Sequence, residues 1–371
     1  MNLFKLKTNI HTFKTFRDFS DEFKIGSEDL IVCSESAYKK YIQGDAAEAA
    51  IIFPKKYGSG EPTSTVIDKV IKQANTLNYS RVIAVGGGAI LDIAKLLVLR
   101  DLTTAKAIFN KEMDFHKDKK LVMIPTTCGT GSEVTNISVA EIKELKTKLG
   151  VALEELYGDD AVLIPELLQD LPYKYFAFSS IDALVHAMES FVAPKSNRYT
   201  KMYAAEAIKL IISGFQKLLD NGKQLTIELL EDFLFASNFA GIAFGNTGTG
   251  AVHALSYPVG GNYHLAHGES NYQFLVEVFK RYTEIKPEGK VSELNCYLKE
   301  LLHCDDNLPY DALAELLSEI WENRNLKSYG MKDEEADIFA EDVIKNQQRL
   351  LSNNYVQLSK KELSDIYKKR L

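Results

Sequence analysis

The run Arg81-Val82-Ile83-Ala84-Val85 passes directly into three glycines, Gly86-Gly87-Gly88, and then into the helix-prone stretch 89–95. A short unbroken apolar run bounded by a Gly-rich turn reads as a strand buried on both faces. Comparable runs stand at Asp29–Cys33, Ala50–Phe53 and Lys120–Ile124, and Thr65–Leu77 has the spacing of an amphipathic helix. Strands alternating with helices over short loops predict an α/β unit: a mostly parallel sheet covered on both faces. The pattern holds from Leu3 to about Ile164.

Two of the turns carry chemistry. Gly86-Gly87-Gly88 opens a helix, where glycine lets a ligand approach the backbone and unpaired N–H groups can hold an anion. The triplet is not the GxGxxG fingerprint, and a plain tight turn is the alternative reading. Thr126-Thr127-Cys128-Gly129-Thr130-Gly131-Ser132 leaves a second strand and is crowded with small hydroxyl groups. Both turns are predicted at the carboxyl edge of the sheet, where open α/β sheets take ligands. The strand ending at Cys33 runs into Ser34-Glu35. An acid there could accept from an adenosine 2′-hydroxyl and repel a 2′-phosphate, favouring NAD over NADP; a solvated loop glutamate is the alternative.

Beyond Asp170-Leu171-Pro172 the periodicity becomes helical, with helices expected at Tyr203–Leu218, Thr226–Ala240, Gln273–Tyr282, Ser292–His303, Tyr310–Arg324 and Glu334–Asn346. The expected division is an α/β domain over 1–176 and an all-helical domain over 177–371, with a cleft between them. Ser179–Val192 reads as a helix that places Asp182 and His186, four apart, on one face. His253 and His267 follow, fourteen positions apart, with Pro258 and Gly260-Gly261 between them. That spacing predicts a helix end, a loop and a second helix start. Taken singly, each histidine is more simply a hydrogen-bonded core residue. Together, Asp182, His186, His253 and His267 form a nitrogen and oxygen donor set suited to Fe²⁺, Zn²⁺ or a similar ion.

Composition narrows the setting. With 371 residues there is chain for two cores, and a net charge of −7 leaves no basic excess to meet nucleic-acid phosphates. The N-terminus lacks a signal-like apolar run, and no window is long enough for a membrane span. Four cysteines without CxxC spacing point to free thiols in a reducing compartment, the cytoplasm by default.

The segments GGGAILDIAK, PTTCGTGSE, SIDALVHAMESF and HALSYPVGGNYHLAHG, in this order, resemble the iron-containing (group III) alcohol dehydrogenase family over essentially the full chain. The stretches TTCGTGSEVTNISVAE, GNTGTGAVHALSYPVGGNYH and QQRLLSNNY look closest to one branch, the 4-hydroxybutyrate dehydrogenases. The resemblance implies a Rossmann-like dinucleotide-binding domain, a helical domain and a catalytic divalent metal, Fe²⁺ expected with Zn²⁺ as the alternative. Carried over by position, Asp182, His186, His253 and His267 match the metal ligands, and Gly86, Gly87 and Gly88 match the pyrophosphate turn. Asp92 matches an acid near the nicotinamide, Thr126, Thr127 and Thr130 match cofactor-contacting threonines, and Lys148 matches a lysine that reaches the ribose.

There are departures from the pattern. Ala89 replaces a common serine, and Tyr257 stands where many members carry a relay histidine. Ser34-Glu35 replace the ribose-selecting aspartate, and Asn353-Asn354-Tyr355 replace an NPR-like tail. Tyr257 or His264 is then the candidate for proton exchange. The implied reaction moves a hydride between a small alcohol, 4-hydroxybutyrate first, and NAD, with a homodimer or higher homo-oligomer as the assembly. Arg349, with Gln348 and Asn353, is a candidate for the substrate carboxylate, against ordinary surface or packing roles. A primary-alcohol or 1,3-propanediol dehydrogenase and a dehydroquinate-synthase-like lyase are the rival readings.

Overall fold

A computed structural model describes residues 3–58, 60–112, 114–145, 147–304 and 309–371. The chain forms two compact units. One comprises Leu6–Leu171; the other comprises Pro172–Leu371 together with the N-terminal residues through Lys5. The boundary expected at 176/177 therefore moves, because it falls inside the helix Tyr173–Val192, which starts directly after Pro172. The N-terminal segment joins the helical unit through its own contacts. Phe4 stacks on Tyr199 and Tyr203, and the Lys5 N–H donates to Asn246 Oδ1 at 2.7 Å.

In the first unit the strands are β1 (Asn9–Thr12), β2 (Asp29–Cys33), β3 (Ala50–Ile52), β4 (Arg81–Gly86), β5 (Lys120–Pro125), β6 (Ile137–Ile142), β7 (Thr147–Ala152) and β8 (Asp160–Leu163). Six of them form a parallel sheet in the order β1-β8-β5-β4-β2-β3, and β6 and β7 pair as a separate antiparallel ribbon. Alternate strand residues Leu30, Val32, Val82, Ala84, Leu121 and Met123 share one buried cluster with α1 (Ser64–Ala74) and α2 (Gly88–Leu96). The intervening Ile31, Cys33, Ile83, Val85, Val122 and Ile124 are buried as well. Both faces are covered, as parallel sheets require.

Register fixes what lies at the carboxyl edge. Cys33 pairs with Val85, and Gly86 pairs with Pro125. The chain therefore leaves β2, β4 and β5 at one level, delivering Ser34-Glu35, the glycine triplet and the threonine-rich turn to a single edge. The Thr126 N–H bonds the Gly86 carbonyl at 3.1 Å, tying the last two together.

In the second unit, α3 (Tyr173–Val192) is buried nearly all round, so it acts as the central helix. It packs against α4 (Arg198–Asp220), α5 (Ile227–Thr247) and α7 (His267–Ile285). Between the last two runs α6 (Ala251–Tyr263), and α8 (Lys290–Leu302), α9 (Pro309–Ile320), α10 (Glu335–Asn346) and α11 (Lys360–Lys369) complete the unit. The helix end, loop and second helix start expected between His253 and His267 are present, but the break comes later than Pro258. Pro258 and Gly260-Gly261 do not break the chain: α6 continues through them and ends at His264 in the left-handed region, φ 55°. Pro258 cannot donate to the Ala254 carbonyl and crowds it with its ring, but buried Leu255 and Val259, with the Tyr367 hydroxyl on the Leu255 carbonyl (2.7 Å), pack the helix around it. His253 thus stands at a helix start rather than a helix end. Among the described residues no helix is long and apolar enough to cross a membrane.

Candidate metal centre and dinucleotide turns

Asp182, His186 and Glu189 form a polar stripe at i, i+4 and i+7 on an otherwise apolar buried helix. Their exposures are 2%, 5% and 3%. Such groups are tolerated in a core only when hydrogen-bonded or bound to an ion. α6 contributes His253 from its first turn and α7 contributes His267 as its first residue. Gly268 lets α7 come this close: a Cβ there would lie 2.1 Å from the Phe178 carbonyl oxygen and 3.2 Å from Asp182 Cβ. One ligand atom from each of Asp182, His186, His253 and His267 falls within 4.8 Å of the others. The structure brings the four sequence candidates together.

The rings are held from behind. His186 stacks on Phe244 with ring centroids 4.2 Å apart, and its Nε2 lies 3.0 Å from His253 Nε2. His253 Nδ1 bonds Glu189 Oε2 at 2.7 Å. Asn271, fully buried, donates Nδ2 to Asp182 Oδ1 at 2.7 Å, and the same atom lies 3.2 Å from both His253 Nε2 and His267 Nε2. One carboxylate oxygen and two ring nitrogens therefore already collect around a single side-chain nitrogen. Burial, reinforced by the neighbouring imidazoles, pushes His186 down to about 4, so it stays neutral and free to ligate at neutral pH. Burial works to raise the Asp182 carboxyl, but the imidazoles of His186, His267 and His253 and the Asn271 N–H outweigh it and hold it below its ordinary value. One carboxylate and three imidazoles make a nitrogen and oxygen donor set that fits a divalent transition metal.

Of the two proton-exchange candidates, Tyr257 lies near the cluster, its ring centroid 6.3 Å from that of His267. His264 is exposed at the end of α6 and is not one of the four converging groups. Gln348 and Asn353 direct their amides to backbone, Gln348 to Ile344 at 2.6 Å and Asn353 to Thr249 at 3.2 Å. Gln348 and Arg349 are exposed, and Asn353 is half-buried.

In the sheet unit the two turns interlock. A Cβ on Gly87 would meet Thr127 Cγ2 at 3.2 Å, and one on Gly88 would meet Thr130 Cγ2 at 2.7 Å. Gly87 caps α2 without a side chain, so the first-turn amides have no side-chain cap. Uncapped first-turn amides at a helix start are groups that can hold an anion. Asp92 is committed to its own chain: it accepts from Ser132 Oγ at 2.6 Å, the Val139 N–H at 3.0 Å and Lys95 Nζ at 3.3 Å. Glu35 lies 3.8 Å from Lys56 Nζ, and Lys148 pairs with Glu61.

Sequence reasoning passed over Lys95, Glu189 and Asn271. Lys95 is fully buried and also reaches Ser132 Oγ and the Ile137 carbonyl, both at 2.6 Å. Burial lowers its pKa, against the charges of Asp92 and Glu133. The signal for Glu189 was its place at the third position after His186 in HAME; for Asn271, its place four after His267.

The model of the iron-containing alcohol dehydrogenase family matches residues 9–165, and the C-terminal model of the Fe-containing alcohol dehydrogenase family matches 176–371. The chain belongs to the iron-containing alcohol dehydrogenase family. It is 47% identical to the 4-hydroxybutyrate dehydrogenase of Clostridium kluyveri over 371 residues, 100% of both chains. To long-chain-alcohol dehydrogenase 1 of Geobacillus thermodenitrificans it is 32% identical over 83% of this chain and 79% of that one. The fold is similar to that of sulfoacetaldehyde reductase from Bifidobacterium kashiwanohense in complex with NAD⁺. The TM-score is 0.86 at 21% identity, covering 99% of this chain and 98% of the other. The two-unit plan, a parallel-sheet unit and a helical one, is that of the iron-containing alcohol dehydrogenases, and the chain is an enzyme of that kind.

Proposed function

We propose that this enzyme interconverts 4-hydroxybutyrate and succinate semialdehyde with NAD(H), using a divalent metal, Fe²⁺ first, held by Asp182, His186, His253 and His267. The reading rests on the convergence of those four groups within 4.8 Å. The substrate follows from 47% identity along the whole chain to a 4-hydroxybutyrate dehydrogenase. In the oxidative direction 4-hydroxybutyrate and NAD⁺ give succinate semialdehyde, NADH and a proton. Bound in their sites, the metal supplies Lewis-acid activation of the alcohol oxygen and the nicotinamide accepts the hydride.

The chain's own residues do the rest. One carboxylate and three neutral imidazoles bring a single negative charge to a divalent cation, leaving net positive charge to act on substrate. The first-turn amides of α2, with Thr126, Thr127 and Thr130, hold the diphosphate, and Asp92 keeps the second turn in shape through Ser132. Glu35 accepts from the adenosine ribose, and Lys148 reaches the cofactor ribose. Tyr257, beside His267, is favoured over His264 for passing the alcohol proton to water. The proposed setting is cytoplasmic, which suits four free cysteines, and the assembly a homodimer or higher homo-oligomer.

The deciding experiment follows NADH formation from 4-hydroxybutyrate and from 1-butanol, before and after chelation and after Fe²⁺ or Zn²⁺ is restored. The expected result is a higher kcat/KM for 4-hydroxybutyrate, lost on chelation and regained with metal. Full activity in a demetallated sample, or a preference for 1-butanol, refutes the reading. Product without stoichiometric NADH would favour lyase chemistry.

A further inference from the structure

Glu189 is a buried carboxylate surrounded by donors. Its Oε2 accepts from the Gly250 N–H at 2.9 Å and from His253 Nδ1 at 2.7 Å, and its Oε1 accepts from the Val252 N–H at 2.7 Å. Two of these donors belong to the start of α6. Its N-cap, Gly250, has no side chain to satisfy them, so an acid on another helix does the capping, where negative charge also complements the helix dipole.

The third donor is a ring nitrogen. A neutral imidazole carries one proton, and if that proton sits on Nδ1, facing the carboxylate, Nε2 is left with a lone pair. That Nε2 lies 3.0 Å from His186 Nε2 and 3.2 Å from Asn271 Nδ2, inside the cluster of four. The two ends of the His253 ring thus have separate tasks.

We propose that Glu189 is the positioning residue of the metal centre. It fixes His253 as the Nδ1–H tautomer, aims the Nε2 lone pair at the cation, and anchors that ligand to the N-terminus of α6. The inference rests on the metal reading above. One carboxylate then links two requirements, a capped helix and a correctly presented ligand, so α6 cannot shift without moving the imidazole. An outer carboxylate of this kind typically contributes about 10–100-fold to metal affinity.

The test is a double-mutant cycle on the full chain, with Co²⁺ affinity read by chelator competition on demetallated protein. Glu189→Gln keeps the shape but turns an amide N–H₂ toward groups that are themselves donors. Its Co²⁺ affinity is expected to fall about 10–100-fold. In a His253→Ala background the same substitution is expected to change affinity by no more than about twofold, because its effect runs through the ring. Equal losses in both backgrounds would make Glu189 a helix cap alone and overturn the proposal. So would Glu189→Gln binding as tightly as the parent. A parent chain that binds no cation overturns the metal reading and this inference together. Should Glu189→Gln not fold, ¹⁵N-histidine NMR of the unsubstituted, demetallated chain decides. His253 protonated at Nδ1 and bare at Nε2 supports the assignment, and the reverse tautomer or an average of the two overturns it.

Discussion

Gly88→Ala tests the interlock of the two turns with one methyl group. A Cβ at this position would stand 2.7 Å from Thr130 Cγ2, 3.1 Å from its Oγ1 and 3.2 Å from its Cβ. Carbon atoms pack at about 3.5–4.0 Å, so the first contact is short by close to an ångström. Gly88 opens α2, and alanine would favour that helix by about 1 kcal/mol. Overpacking costs about 1–3 kcal/mol, so the expected net loss is up to about 2 kcal/mol in urea unfolding. The KM for NAD should rise as Thr130 is pushed from its place. Thr130→Ser deletes the offending Cγ2 and keeps the hydroxyl that accepts from the Ser132 N–H at 3.3 Å. The double variant should regain most of the lost stability, a non-additivity that marks direct contact. Unchanged stability and KM in Gly88→Ala, or no recovery with Thr130→Ser, would refute the argument.

His267→Ala is expected to abolish turnover while NADH binding, followed by fluorescence, persists; full activity with metal content intact would remove His267 from the centre. Glu35→Ala should shift preference toward NADP, because it removes the acid and releases Lys56, 3.8 Å away, to meet a 2′-phosphate. An unchanged NADP/NAD ratio of kcat/KM would assign ribose selection elsewhere. Burial pushes the Cys33 thiol up to about 12, whereas Cys296 is exposed. Iodoacetamide at mildly alkaline pH should therefore label Cys296 and spare Cys33 in the folded chain, by peptide mass spectrometry, and equal labelling would contradict the burial of β2.

The strands visible in the sequence are those buried on both faces. Asp29–Cys33, Arg81–Gly86 and Lys120–Pro125 are continuous apolar runs because helices cover both sides of them. β1 was not legible: it is four residues long, mostly exposed and polar, and only its pairing with β8 makes it a strand. β6 alternates buried and half-buried residues beside a lysine-rich turn and gives no strong run. At the metal centre, helical spacing exposed Asp182 and His186, and motif order supplied His253 and His267. Lys95, Glu189 and Asn271 resemble ordinary helix-surface polar residues in the linear chain. What buries them is tertiary: Glu189 meets the start of α6 more than sixty positions on, and Lys95 is enclosed by the 132–137 turn.

The strap formed by Phe4 and Lys5 has a consequence for synthesis. Lys5 bonds Asn246, 241 residues further along. At about 5–20 residues per second the ribosome needs roughly 10–50 s to deliver that partner. Residues on both sides of the α/β unit thus belong to the helical unit, and the α/β unit is an insertion that can finish folding while Phe4 and Lys5 still wait unattached. Removing Phe4 and Lys5 should accordingly spare the early folding phase and weaken only the closing one.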